Sequence, residues 1–263
     1  MKHHDRYIRI AMTTCGLRGK RVLEIGGSTP LELIAWTGCR SWTSVNLNSA
    51  DVERLRKSIN ETGVTNVEAR LQDATTIDDV EQFDVVYSIN AFEHIQGFGE
   101  AFRRMEKALT RSGRLFAIFG PIWSSDVGHH LSVQGDQSLL HFSQNVLEPF
   151  EHLRVSPDKM RQRLLLAHST ETVERIIEWV YSYPDINRMF ESEYDEVRAR
   201  SRLTTLLDIR RRGERPTPEA IGASATRDVL WLLSRCEIGL WRARLRAALG
   251  LVVGYGWARL VRP

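Results

Sequence analysis

Two segments concentrate the residue types that chemistry requires. Near the N-terminus, Val22-Leu23-Glu24-Ile25-Gly26-Gly27 sets an acid inside an apolar run and closes on two glycines. Glycine takes positive φ without a steric cost and lets a ligand approach the backbone closely. Pro30 suits a helix start, and the first N–H groups of that helix would face an anionic group. In mid-chain, Gly120-Pro121-Ile122-Trp123-Ser124-Ser125-Asp126-Val127-Gly128-His129-His130-Leu131 carries adjacent histidines. Histidine is the side chain whose unperturbed pKa best suits proton removal near neutral pH, so His129 and His130 are the candidate catalytic bases. Bonding loop backbone is the alternative use of the pair. Asp126 with the two histidines could instead hold a divalent cation, although no metal is expected.

The elements that position these residues alternate. KRVLEIGG reads as a buried strand stopping at a turn, and LELIAW as a helix that the Ser28-Thr29 pair can cap. SWTSVNL is a second strand. Asn48 or Ser49 caps a helix in which Val52, Leu55 and Ile59 recur at helical spacing before Gly63 ends it. VEARLQD and FDVVYSI are the third and fourth strands, and Phe98, Ala101, Phe102, Met105 and Leu109 mark one helical face before the fifth, RSGRLFAIFGP. Such alternation predicts a parallel sheet with right-handed crossovers, helices on both faces and a ligand at the carboxyl ends of the strands.

Three further landmarks give the chain a resemblance to class I S-adenosylmethionine (SAM)-dependent methyltransferases. Thr43-Ser44-Val45-Asn46-Leu47-Asn48 resembles the end of that family's second strand, and Leu71-Gln72-Asp73-Ala74 its third-strand exit. Phe83-Asp84-Val85-Val86-Tyr87-Ser88-Ile89-Asn90-Ala91-Phe92-Glu93-His94-Ile95 closely resembles the fourth strand and its loop. The likeness spans roughly residues 18 to 125. It implies that Asn46 bonds the ribose hydroxyls, that Asp73 accepts from the adenine amino group, and that the glycine turn takes the SAM carboxylate. The implied cofactor-binding set is Glu24, Gly26, Gly27, Asn46, Asp73, Ala74, Ser88 and Asn90. Ser28 and Pro30 stand where the family usually has glycine, and Asn46 where it usually has an acid. Glu93-His94 looks like a loop-shaping pair more than a chemical one. The G-x-G-x-x-G turn of NAD-binding folds is absent.

The expected fold is a Rossmann-like, seven-stranded, mostly parallel sheet with helices on both faces and a helical insertion after the fifth strand. One domain spans 1–263: a cofactor-binding core at 18–125, a lid for the acceptor at 126–200, and closing strands and helix at 201–263. In that last part RLTTLLDIRR reads as a strand, DVLWLLSRCEIGLWRARLRAAL as helical and VVGYGWARLVRP as a closing strand. Within the lid, Ser156-Pro157 opens one helix, and Val173, Ile176, Ile177 and Val180 mark another. Trp123, Phe142, Trp179, Tyr181 and Tyr183 are candidates for an acceptor pocket or simply core.

Composition fits this reading. Hydrophobic residues at 42% and charged residues at 26% are ordinary for a globular chain, which excludes a fibrous or disordered one. Cys15, Cys39 and Cys236 have neither disulfide nor zinc spacing. The opening lacks the apolar core of a secretory signal, so a cytoplasmic location is expected. A net charge of +3 names no partner, but no acid follows Glu237, whereas Arg242, Arg244, Arg246, Arg259 and Arg262 do. That basic tail admits peripheral membrane contact, and Arg210-Arg211-Arg212 admits RNA, although most such runs are solvated faces. The expected activity is methylation of an oxygen on a small molecule or glycan, the oxygen being inferred from the two histidines. A SAM-binding partner subunit and an RNA-associated methyltransferase are the alternatives.

Overall fold

The computed structural model describes residues 2–235. An opening helix, α1 (Lys2–Thr14), precedes β1 (Arg21–Ile25), α2 (Leu31–Thr37), β2 (Ser41–Asn46), α3 (Ser49–Thr62), β3 (Val67–Leu71), β4 (Phe83–Ile89), α4 (Phe98–Ala108) and β5 (Leu109–Phe119). The insertion follows: a small hairpin of β6 (Ser132–Gln134) and β7 (Leu139–His141), then α5 (Glu151–Arg154), α6 (Pro157–Leu164), α7 (Thr170–Tyr181) and α8 (Glu191–Ala199). Strands β8 (Thr204–Arg212) and β9 (Thr226–Ser234) return to the main sheet.

That sheet has seven strands in the order β3-β2-β1-β4-β5-β9-β8. The first five are parallel, and β9 runs antiparallel to both β5 and β8. Because the strand order reverses between β1 and β4, the carboxyl ends of β1, β2 and β4 open a crevice at the switch point. One face packs α4 through Phe98, Ala101, Phe102 and Met105 against Phe92, Phe119 and Trp231. The other face carries α1, α2 and α3, with Ile8, Ile10, Ile34, Val52 and Leu55 on Trp42 and Tyr87. The insertion holds a core of its own in which Leu131, Val133, Met160, Val173, Ile176 and Val180 are buried.

Local chemistry explains the element ends. Asn48 caps α3 by accepting from the Asp51 N–H at 3.2 Å, and Gly63 closes it at φ 67°. Ser156 and Ser169 cap α6 and α7 in the same way. The Ser28-Thr29 pair does not cap α2; Pro30 takes the cap position, and Thr29 turns back to Glu24. A larger correction falls at the end of the sheet. Residues expected to begin a helix at Asp228 form β9 instead, because an apolar run such as DVLWLLS fits a buried strand as well as a buried helix. The remainder of that expected helix, the closing strand at 252–263, Cys236 and the basic tail lie outside the described residues. Among the described residues, no helix is long and apolar enough to cross a membrane.

Candidate active site

The crevice is built from the ends of four adjacent strands. Parallel register sets Ile25 beside Val45 and Ser88, and Asn46 beside Leu71, so Gly26, Asn46, Asp73 and Asn90 stand along one edge. Glu24, buried in β1, organises the turn. Its Oε1 accepts from the Thr29 hydroxyl at 2.5 Å and the Thr29 N–H at 3.2 Å, and its Oε2 from the Trp42 indole at 2.9 Å. Its oxygens thus hold the loop in shape. Asn46 clips the same loop: its Nδ2 donates to the Gly27 carbonyl at 2.8 Å and its Oδ1 accepts from the Asn48 N–H. Asparagine can do this where a carboxylate, having no proton to donate, could not.

The two glycines are required by space. Gly26 sits at φ 75°, and a Cβ there would overlap the Cβ of Ala91; at Gly27 it would overlap the Ser44 hydroxyl. Asp73 gives Oδ1 to the Thr75 N–H and hydroxyl, both at 2.8 Å, while Oδ2 has no hydrogen bond among the described residues. Leu47 and Leu71, at the ends of β2 and β3, are 67% and 52% exposed, an apolar platform beside Asp73. A backbone cradle that side chains would fill, an acceptor oxygen and an apolar platform fit a carboxylate-bearing nucleoside such as SAM. Ser88 and Ala74 are both buried, Ser88 donating to the Ile25 carbonyl and Ala74 in the core, so their side chains support the edge from beneath. Asn90 is exposed at φ 49°, a conformation that non-glycine residues keep where the surroundings impose it.

Beside Asn90 lies a cavity of about 750 Å³ that crosses the ends of β4, β5, β9 and β8. Arg6, Tyr7 and Ile10 of α1 form one wall, Ile118 to Pro121 the floor, His141 and Phe142 the lid side, and Arg211 and Asp228 the far end. Asp228 and Arg211 form an ion pair. Sequence reasoning missed this cavity, because its lining comes from distant segments of the chain.

The two histidines expected to act are placed differently from one another, and neither lines the cavity. His129 is buried, and its Nδ1 accepts from the Leu131 N–H at 3.1 Å, which leaves Nε2 as the protonated nitrogen, buried without a partner. It therefore has no basic lone pair to offer, a correction to its expected role. His130 donates from Nε2 to the Pro121 carbonyl, which leaves Nδ1 with its lone pair. Its ring packs against Phe142 at 5.9 Å, one residue layer behind the cavity. His141, which does line the cavity, accepts from the Ser143 N–H at Nδ1 and so keeps Nε2 as a donor. Asp126 is no ligand for a cation. Its buried carboxylate takes a two-pronged Arg227 and the N–H groups of Val127 and Glu214; although burial opposes ionisation, these partners hold it below the usual carboxylate range. No group of three or more metal-ligating side chains gathers among the described residues.

Glu93 and His94 fasten the lid. Glu93 accepts from the Gly120 N–H at 3.0 Å, and burial pushes its carboxyl up to about 7. Asn187 donates to the carbonyls of Phe92 and Ile95, and its N–H to that of Glu93. His94 pairs with Asp185 at 3.3 Å; burial works against its charge, but Asp185 and Glu93 raise it to about 9. Trp179 donates to the His129 and His130 carbonyls and Tyr181 to that of Val155, so these two aromatics serve the lid itself.

Burial drives His130 and His152 down to about 4, and His129 well below its usual value. Unfolded, each takes up its proton near 6.5. Their contribution to stability is intact above about pH 6.5 and is lost as the pH falls toward 4, about 3 kcal/mol apiece for His130 and His152. Glu93, whose carboxyl folding raises to about 7, works the other way over the same range and offsets the loss from one histidine; the melting temperature is therefore expected to drop by about 10 °C between pH 6.5 and 4.5, and His152→Leu to blunt the drop. A flat profile would contradict the closed histidine cluster.

Residues 23–117 match the family model described as a methyltransferase domain. No curated protein matches the chain. Among solved structures it is similar to the YcgJ protein of Bacillus subtilis, at 16% identity and TM-score 0.53, over 89% of this chain and 99% of that one. It is also similar to an S-adenosylmethionine-dependent methyltransferase of Mesorhizobium loti, at 13% identity and TM-score 0.54, over 86% and 95%. A third is geranyl diphosphate C-methyltransferase of Streptomyces coelicolor, at 12% identity and TM-score 0.54, over 89% and 81%. At these identities the structural likeness is one of fold.

Proposed function

We propose, from its membership of the class I SAM-dependent methyltransferases, that this chain methylates an oxygen of a small molecule or glycan seated in the cavity beside Asn90. The observation that carries this reading is the cavity itself, which begins at Asn90 and is bounded on one side by His141 and Phe142 of the insertion. SAM, when bound, supplies a methyl group already activated on a sulfonium. The protein's work is then alignment and proton removal. Gly26 and Gly27 admit the cofactor, Asp73 and Leu47 receive its nucleoside, and Asn90 marks the join to the acceptor.

His130 is the proton acceptor in this reading, narrowed from the adjacent pair by its free Nδ1. With its proton uptake pushed down to about 4, it is neutral throughout the physiological range. A base this weak suits an acidic hydroxyl, such as one on an aromatic ring, over an aliphatic alcohol. Phe142, which lines the cavity, packs against the His130 ring at 5.9 Å. The test is a screen of hydroxylated acceptors with radiolabelled SAM, followed by His130→Ala. That variant is expected to lower kcat by about 10²- to 10⁴-fold and to leave SAM affinity within about twofold. An unchanged kcat would remove His130 from the reaction. A SAM-binding partner subunit is the second reading, favoured by the bonding of both rings to loop backbone; SAM binding without turnover on any acceptor would select it.

A further inference from the structure

The charges along the acceptor cavity are lopsided. Three guanidinium groups line it, from Arg6, Arg211 and Arg227, against one carboxylate, Asp228. Arg227 is spent on Asp126, which is buried behind the wall. Arg211 is not spent in this way. Only its Nε meets Asp228, its side chain is 68% exposed, and its two terminal nitrogens make no hydrogen bond among the described residues. Strand alternation isolates it further: Arg210, on the opposite face of β8, is consumed by Glu191, Asp195 and Asp208. The run Arg210-Arg211-Arg212 is thus divided, and Arg211 is turned to the cavity. His141 adds a second donor through Nε2.

We propose that the acceptor is a small organic anion, a carboxylate or phosphate on an apolar body, held by the Arg211 fork with His141 as second donor. The assignment rests on the methyltransferase reading and names the substrate class of that site. A guanidinium edge matches two oxygens of either anion. Between Asn90 and Arg211 the cavity crosses three strand spacings, about 14 Å. Ile118, Phe119, Phe142, Val229 and Leu230 line that span. An acceptor anchored at Arg211 therefore carries its methyl-accepting atom at the far end of an apolar body.

The test uses the full chain saturated with S-adenosylhomocysteine (SAH), whose binding is read first. The probes are para-hydroxycinnamate, decanoate and phenyl phosphate, with para-hydroxycinnamamide and decanamide as neutral counterparts, each followed by equilibrium binding. At least one anion class is expected to bind about tenfold or more tightly than the amides, and the carboxylate and phosphate arms tell which. Arg211→Gln should erase that preference and leave SAH and amide binding unchanged. Asp228→Asn, which frees the fork, should strengthen anion binding. Equal binding of anions and amides, no binding of any anion, or a preference that survives Arg211→Gln overturns the proposal. Failure of SAH to bind would instead bring down the methyltransferase reading, and the acceptor assignment with it.

Discussion

Replacing Gly26 by alanine is expected to weaken SAM binding by about a hundredfold or more, a loss of roughly 3 kcal/mol. Two costs combine. The residue sits at φ 75°, where an L side chain costs about 1–2 kcal/mol. The added methyl would also overlap the Ala91 Cβ, and Ala91, itself buried, directly follows Asn90 at the edge. Either the glycine loop or the Asn90 turn must move, and both belong to the edge proposed to hold the cofactor. Gly16 supplies the control, because it has a similar φ of 72° but nothing within 4 Å of a Cβ. Gly16→Ala should cost about 1 kcal/mol of stability and leave SAM affinity intact. Calorimetric titration of the two variants checks this, and equal affinities would mean that the loop does not hold the cofactor.

Asp126→Ala is expected to be the most destabilising single change in the lid, by about 3 kcal/mol or more. The carboxylate is 1% exposed and gathers Arg227, Val127 N–H and Glu214 N–H, joining the start of the lid to the loop between β8 and β9. Removing it leaves a guanidinium and two N–H groups without partners. Arg227 is 30% exposed and recovers some hydration, which sets the loss at the lower end of the range for a broken buried pair. Gly213 packs so closely on Asp126 that no side chain fits there, so the same contact fixes the approach of the β8–β9 loop. The melting temperature should fall by about 6–12 °C, with limited proteolysis cutting first within the lid. SAM affinity should change little, since the tie lies away from the glycine loop. A shift under about 2 °C would mean that the lid stands without this tie.

The parts of the molecule legible in its sequence are those whose signals are local. Strands β1 to β5 follow from short apolar runs bounded by turns, and α4 from Phe98, Phe102 and Met105 recurring on one face. The placement of Gly26, Asn46, Asp73 and Asn90 at the strand ends was legible for the same reason, since each is adjacent to the run that places it. Strand β9 was not, because Asp228 to Ser234 has no alternation by which a strand could be told from a buried helix. Helix α1 was passed over because the opening was read only for a secretory signal, although Ile8, Ile10 and Ala11 are buried. The cavity beside Asn90 was illegible in principle. Tyr7, Asn90, Phe142 and Arg211 come together through topology, and nothing in the neighbourhood of any one of them announces the others. The histidine pair shows the opposite hazard. His129 and His130 are adjacent and of the right type, and both carry their proton on Nε2, yet a backbone N–H occupies the Nδ1 lone pair of His129 alone.

The central claim is that the edge formed by Gly26, Gly27, Asn46 and Asp73 binds SAM. Its most direct test is calorimetric titration of the purified protein with SAM and with SAH, beside Asp73→Ala. Micromolar binding of both compounds that the variant loses, while its fold is retained, is the predicted result. No binding of either compound to the folded wild-type protein would contradict the account.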